Sequence, residues 1–202
     1  MLFKKEHIRV KADDQGDEKA EGKSSAFVSK FLNVQASKVE NLKRDMPRLP
    51  EPSEVFFLMS MQQFNAFTFV QYIARLYFIE ELYATTYSVS MRVIEALQEL
   101  QKKGRIGKIN LLISDSMMKR NQKVCDAVNA WAHGNVNVSV VYTWNHSKFT
   151  LCKTPENWFL VEGSGNWGDN ACYEQYVMAN SELAYKARAE LFTDCKAVYK
   201  IN

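Results

Sequence analysis

A chain of 202 residues with 47% hydrophobic and 24% charged residues has the make-up of a globular domain, long enough for one substantial core and short for two. A formal net charge of +3 suits an anionic ligand but falls short of the strong positive balance of a dedicated nucleic-acid binder. No apolar run spans a bilayer, no apolar stretch follows Lys4-Lys5 to make a signal peptide, and four scattered cysteines with three histidines compose no zinc site. The expectation is a cytoplasmic protein with reduced thiols, no stable membrane insertion, and neither metal nor cofactor.

Residues 11–25 are charged and nearly free of large apolar side chains, so they cannot offset their ordering entropy and predict a mobile linker. Residues 27–42 carry an imperfect helical stripe and predict a peripheral helix. Pro47, Pro50 and Pro52 then break the chain, which makes 1–50 an N-terminal extension, partly flexible, and 51–202 the domain. Residues 55–60 read as a strand buried on both faces. Residues 64–81 read as a buried helix whose end, Leu76-Tyr77-Phe78-Ile79, fits a sheet equally well. A strand at 82–87 follows. A helix then starts from Ser88 or Ser90, presents Val93, Leu97 and Leu100 on one face, and stops at Gly104.

Further strands are predicted at 108–113, 136–143, 146–152, 158–161 and 173–179, and helices at 122–132 and 182–199. A turn at 153–157 joins the strands on either side of it. Strands alternating with helices indicate a layered α/β domain. His133 falls at a helix C-terminus, where the dipole favours it. Lys102, Lys103, Arg105 and Lys108 read as a solvated turn. Trp144, Trp158 and Trp167 read as core packing, and Cys152 and Cys172 as small apolar packing groups.

The residues that carry chemistry are concentrated in Asn145-His146-Ser147-Lys148 and Glu162-Gly163-Ser164-Gly165-Asn166-Trp167. Alternation along a strand places His146 and Lys148 on one face, a base or nucleophile beside a fixed cation. Gly163 and Gly165 flank Ser164 and let the backbone approach a bound group, and Ser164 and Asn166 share a face if the chain stays extended. The two pairs converge if their strands are neighbours. Lys119 and Arg120, with Lys123, could line a path for a polyanion.

At these residues the chain resembles the phospholipase D superfamily, whose signature is HxK, four residues, Asp, and then GSxN or GGxN. Here the parts are His146-Ser147-Lys148 and Gly163-Ser164-Gly165-Asn166, while the Asp position holds Lys153, a charge reversal. Glu174 matches the acidic residue that follows the second element. The resemblance implies a phospholipase D-like fold, a mixed β-sheet flanked by helices on both faces. It also implies metal-independent phosphodiester hydrolysis through a phosphohistidine on His146, with Lys148, Ser164 and Asn166 holding the phosphate and Glu174 orienting an imidazole. A single copy of the motif implies a homodimer with a shared site and favours a nuclease. The alternatives are a phospholipid hydrolase or transphosphatidylase, for which an apolar groove beside His146 would speak, and an inactive nucleic-acid-binding module.

Overall fold

A computed structural model describes residues 28–34, 42–43, 45–60, 65–168, 170 and 172–201. In chain order these form β1 (Val28–Val34), β2 (Glu54–Ser60), α1 (Phe67–Leu76), β3 (Ile79–Thr86), α2 (Met91–Lys102), β4 (Ile106–Ser114), α3 (Ser116–Arg120), α4 (Gln122–His133), β5 (Val138–Thr143), β6 (Phe149–Lys153), β7 (Trp158–Gly163), β8 (Gln175–Asn180), α5 (Glu182–Ala189), α6 (Leu191–Asp194) and β9 (Tyr199–Ile201). The strands make one mixed sheet in the order β1-β2-β8-β7-β6-β3-β4-β5-β9. β3, β4 and β5 run parallel, joined by helical crossovers. β6, β7 and β8 form an antiparallel meander that joins β3 on one side and β2 on the other.

Alternation along the strands divides the core between two faces. Phe56, Leu58, Leu82, Ala84, Ile109, Leu111, Val140, Phe159, Val161, Tyr176 and Met178 belong to the main core with α1, α2 and α4. The opposite parity, Tyr83, Phe149, Leu151 and Leu160, packs with Tyr185 and Phe192 of α5 and α6 in a smaller cluster. The domain is therefore α/β, with helices on both faces of a mixed sheet. α5 and α6 are short and leave the β2–β8 end of the second face uncovered, where Phe57 and Met59 stay 39% and 41% exposed.

Several segments differ from the sequence reading or settle what it left open. Residues 28–34, expected as part of a helix, are a strand paired in parallel with β2 from Val28↔Glu54 to Val34↔Ser60. Apolar residues at 28, 31, 32 and 34 fit either period, and the otherwise bare outer edge of β2 decides the outcome. The helix expected over 182–199 starts where predicted, with the Ser181 side chain accepting from Ala184 N, but ends at Ala189. After α6 the chain turns to pair Tyr199–Ile201 with the edge of β5. The segment 64–81 divides into α1 and the start of β3, so its ambiguous end enters the sheet. The predicted linker at 11–25 lies outside the described residues.

Asn180 locks the end of the meander remote from the motif segments. It is 3% exposed, its Oδ1 accepts from Trp158 N at 3.1 Å, and its Nδ2 donates to Pro50 O at 3.1 Å and Asn157 Oδ1 at 2.7 Å. Asn180→Ala strands these buried partners, and urea unfolding is expected to show a loss of about 1–3 kcal/mol.

Candidate active site

Strand pairing brings the two motif segments together. β6 and β7 are antiparallel neighbours with Phe149 opposite Glu162, and one step further Gly163 N donates to Lys148 O at 3.2 Å. Ser164 N donates to Gln175 O at 3.0 Å, which adds the start of β8 and Glu174 to the same edge. The C-terminal end of β3 closes the group.

His146, Ser147 and Lys148 lie in an irregular segment before β6, not in a strand. Asn145 Oδ1 accepts from Ser147 N at 3.0 Å and from Ser147 Oγ at 2.6 Å, a side-chain turn that competes with the pleat. Thr85 Oγ1 accepts from Phe149 N at 3.0 Å and lies 3.2 Å from Ser147 Oγ. His146 and Lys148 therefore meet by a bend rather than by strand alternation. Lys148 Nζ folds back to donate to His146 O at 2.9 Å and lies 3.2 Å from His146 Nδ1. An ammonium can only donate, so Nδ1 is the unprotonated nitrogen in this arrangement and Nε2 carries the proton. Desolvation lowers the Lys148 pKa from the ordinary lysine value, against the opposing pull of Glu174 and Tyr87.

The second segment is anchored by Trp167, which is 2% exposed. Its Nε1 donates to Thr150 Oγ1 and its backbone N to Thr86 Oγ1, each at 3.2 Å, and its ring meets Phe67 edge-on. Asn166, one residue earlier, accepts from Tyr87 N on Oδ1 at 3.2 Å, which turns the amide nitrogen into the donor available to an anion. Ser164 Oγ donates to the Glu174 carboxylate and accepts from Gln175 N at 3.1 Å. The resemblance implied that Glu174 orients an imidazole; here its carboxylate accepts from Ser164 and lies near enough to Lys148 to favour its charge. Both glycines answer to packing: a Cβ on Gly163 would strike Gln175 O, and one on Gly165 would strike the Tyr176 hydroxyl.

Of the outlying basic residues, Lys119 is exposed on α3, whereas Arg120 is tied to the site. Arg120 Nη2 donates to Tyr87 O at 3.1 Å and Ser116 Oγ at 3.0 Å, and its Cζ lies 4.2 Å from the centre of the Tyr87 ring. The Tyr87 ring also packs on His146, with centroids 4.8 Å apart. Sequence reading did not single out Thr85 or Tyr87. Their position was the available signal: they end a parallel strand where the strand order changes direction, the usual place for a ligand in an open α/β sheet.

Lys153 stands at the far end of β6, paired with Glu80 at 3.0 Å and lying over the Trp158 ring. The charge reversal thus has a partner of its own. Trp144 is 94% exposed and Cys172 is exposed, against the core packing expected for them, while Trp167 is core and Trp158 packs against Tyr185. A cavity of about 940 Å³ opens at Ser147 and Lys148 and runs over Phe57, Met59, Val177 and Leu191, with Arg188 held by Glu162 at 2.8 Å in its wall. Among the described residues no helix is long and apolar enough to cross a membrane.

Three outcomes are expected. A lowered pKa means Lys148 loses its proton at a lower pH than an ordinary lysine, so an NMR titration of its side chain should be centred below that value. Folding follows the same sign: the unfolded chain binds this proton more tightly, so stability rises with pH until the unperturbed value is passed. Lys153→Asp, which restores the motif residue, should lower Tm in thermal unfolding by facing Glu80 with a like charge, and Glu80→Lys in the same chain should recover it.

No family model matches the chain and no curated protein matches it. Among solved structures it is similar to the archaeal chromatin protein TrmBL2, at 11% identity over 69% of this chain and 51% of that one, with a TM-score of 0.48. Polyphosphate kinase from Porphyromonas gingivalis gives 13% identity over 73% and 27%, with a TM-score of 0.47. Phosphatidylserine synthase from Haemophilus influenzae Rd KW20 gives 10% over 72% and 39%, with a TM-score of 0.45. The chain spans about half the length of the first and less of the other two.

Proposed function

We propose that the chain hydrolyses phosphodiesters without a metal, through a phosphohistidine, at a site completed by a second copy of itself. The observation that carries the reading is the grouping of His146, Lys148 and Asn166 around Tyr87 at one end of the central strands, with the lysine folded onto the imidazole. Each chain contributes one such set, and the reaction needs two imidazoles.

In the first step an unprotonated nitrogen of one His146 attacks phosphorus. The P–N bond forms while the bond to the leaving oxygen breaks, and the second copy's imidazole gives that oxygen its proton. The same second imidazole then takes a proton from water, whose oxygen displaces the first histidine. The acid is the imidazolium form, protonated on both nitrogens, which the second copy takes up once its Lys148 has turned from Nδ1 to the phosphate. The copy acting as nucleophile holds the other tautomer once Lys148 has turned from Nδ1 to the phosphate. The lysine ammonium and the Asn166 amide meet the non-bridging oxygens, where charge gathers. Glu174 acts through Ser164 as a brace for that cage.

Nucleic acid is the substrate class proposed first. The single motif supports it. The apolar cavity beginning at Lys148 favours a second reading, a diester with an apolar arm such as a phospholipid.

The test uses bis-p-nitrophenyl phosphate in chelator-treated buffer. The wild type should turn over, with His146→Ala lower by about 10³-fold. Equal, background-level rates would sink the enzyme reading. Light scattering should give the mass of two copies, and a cleaving monomer would overturn the shared site. Cleavage of single-stranded DNA in preference to phosphatidylcholine vesicles supports the first substrate class, and the reverse preference supports the second.

A further inference from the structure

The site rests on one residue that belongs to neither motif segment. Tyr87 follows β3 directly and touches four site residues with different parts of itself. Its amide donates to Asn166 Oδ1 at 3.2 Å, and its carbonyl accepts from Arg120 Nη2 at 3.1 Å. Its ring lies 4.8 Å from the His146 ring, tilted by 55°, with Arg120 Cζ 4.2 Å and Lys148 Nζ 6.0 Å from its centre. His146 itself is exposed, on a segment without regular structure, so beside the Lys148 contact at Nδ1 the Tyr87 ring is the surface that bears on the plane of its imidazole.

We infer that Tyr87 is a positioning residue for His146: its ring, held in place by the Arg120 guanidinium, is the surface that fixes the imidazole plane for in-line attack. The inference rests on the phosphohistidine reading above and assigns two residues to it. Tyr87 contributes aromatic surface, not its hydroxyl, since the ring is what meets the imidazole. Arg120 contributes by holding that ring. Its Nη2 is committed to Tyr87 O and Ser116 Oγ, and its planar cation lies against the aromatic ring at a separation typical of cation–π contact. The basic residue that a sequence reading takes as a phosphate ligand thereby becomes part of the support for the nucleophile. Misplacing a reacting group by an ångström costs rate without weakening ground-state binding, so the signature is a fall in kcat at constant KM.

Steady-state kinetics on bis-p-nitrophenyl phosphate test this with Tyr87→Leu, Tyr87→Phe, Arg120→Ala and the Tyr87→Leu/Arg120→Ala double variant. Tyr87→Leu should lower kcat by about 10- to 100-fold with KM within about twofold, and Tyr87→Phe should restore kcat to within about threefold of wild type. Arg120→Ala should also act on kcat, and its effect should largely vanish on the Tyr87→Leu background because the two residues act as a unit. Wild-type kcat in Tyr87→Leu would overturn the inference. So would a change confined to KM, or independent, multiplying effects of the two substitutions.

The geometric half stands apart from turnover. In NMR spectra the His146 ring protons should be shifted upfield by the Tyr87 ring current in the wild type and in Tyr87→Phe, and should return toward ordinary positions in Tyr87→Leu. Unshifted protons in the wild type would overturn the ring contact. Shifted protons in a protein whose wild type and His146→Ala are equally inactive would refute the phosphohistidine reading and leave the ring contact standing.

Discussion

Two neighbouring threonine hydroxyls at the end of β3 hold the two halves of the site in relation to each other. Thr85 and Thr86 point to opposite sides of their strand, and each takes one loop. The Thr85 hydroxyl receives Phe149 N and meets Ser147 Oγ at 3.2 Å; the Thr86 hydroxyl receives Trp167 N and donates to Ser88 O at 2.7 Å. Both residues are buried, at 1% and 2% exposure, so these bonds are protected from competition with water. The next residue, Tyr87, adds an amide to Asn166 and a ring to His146. Three consecutive residues thus set the separation between imidazole, ammonium and amide. A catalytic cluster drawn from loops gains its precision from such ties to a rigid strand.

The electrostatic arrangement follows from this anchoring. Lys148 is drawn inward far enough to lose part of its solvation, yet it remains near Glu174, which favours its charge. Glu174 is held from both sides, through Ser164 on its carboxylate and Ser60 on its backbone, where Ser60 N donates to Glu174 O and Glu174 N to Ser60 Oγ, each at 2.8 Å. A half-buried cation, a braced carboxylate and an exposed imidazole form a site whose open side faces away from its own chain. The bare part of the second sheet face, around Phe57 and Met59, continues that open side.

The motif residues and their convergence could be read from the sequence because each step is local. β6 and β7 are adjacent in the chain, joined by a short turn, and antiparallel pairing then sets Lys148 beside Gly163. The layered α/β class was equally readable, since alternation of strand and helix is a local pattern. What the sequence could not disclose depends on distant partners. β1 and β9 are strands because β2 and β5 offer open edges, which no window of residues reveals. The bend at Asn145 overrides the pleat through a single side-chain bond, and Gly165 is required by a tyrosine eleven positions on, Tyr176. Lys153 looked like a defect in a motif. Beside Glu80 it is half of an ion pair away from the reacting groups.

The strand order also governs how the chain arrives at this state. β2 must wait for β8, with Leu58 paired to Tyr176 only after the intervening strands and crossovers exist, while β3, β4 and β5 can associate as soon as they are made. Closing such a distant pairing carries a large loop-entropy cost before any contact repays it, so folding is expected to be slow relative to a helical chain of this length. Glu174 and Ser60 belong to this distant pairing, so the bonds that hold Glu174 in place are complete only when β2 has joined β8.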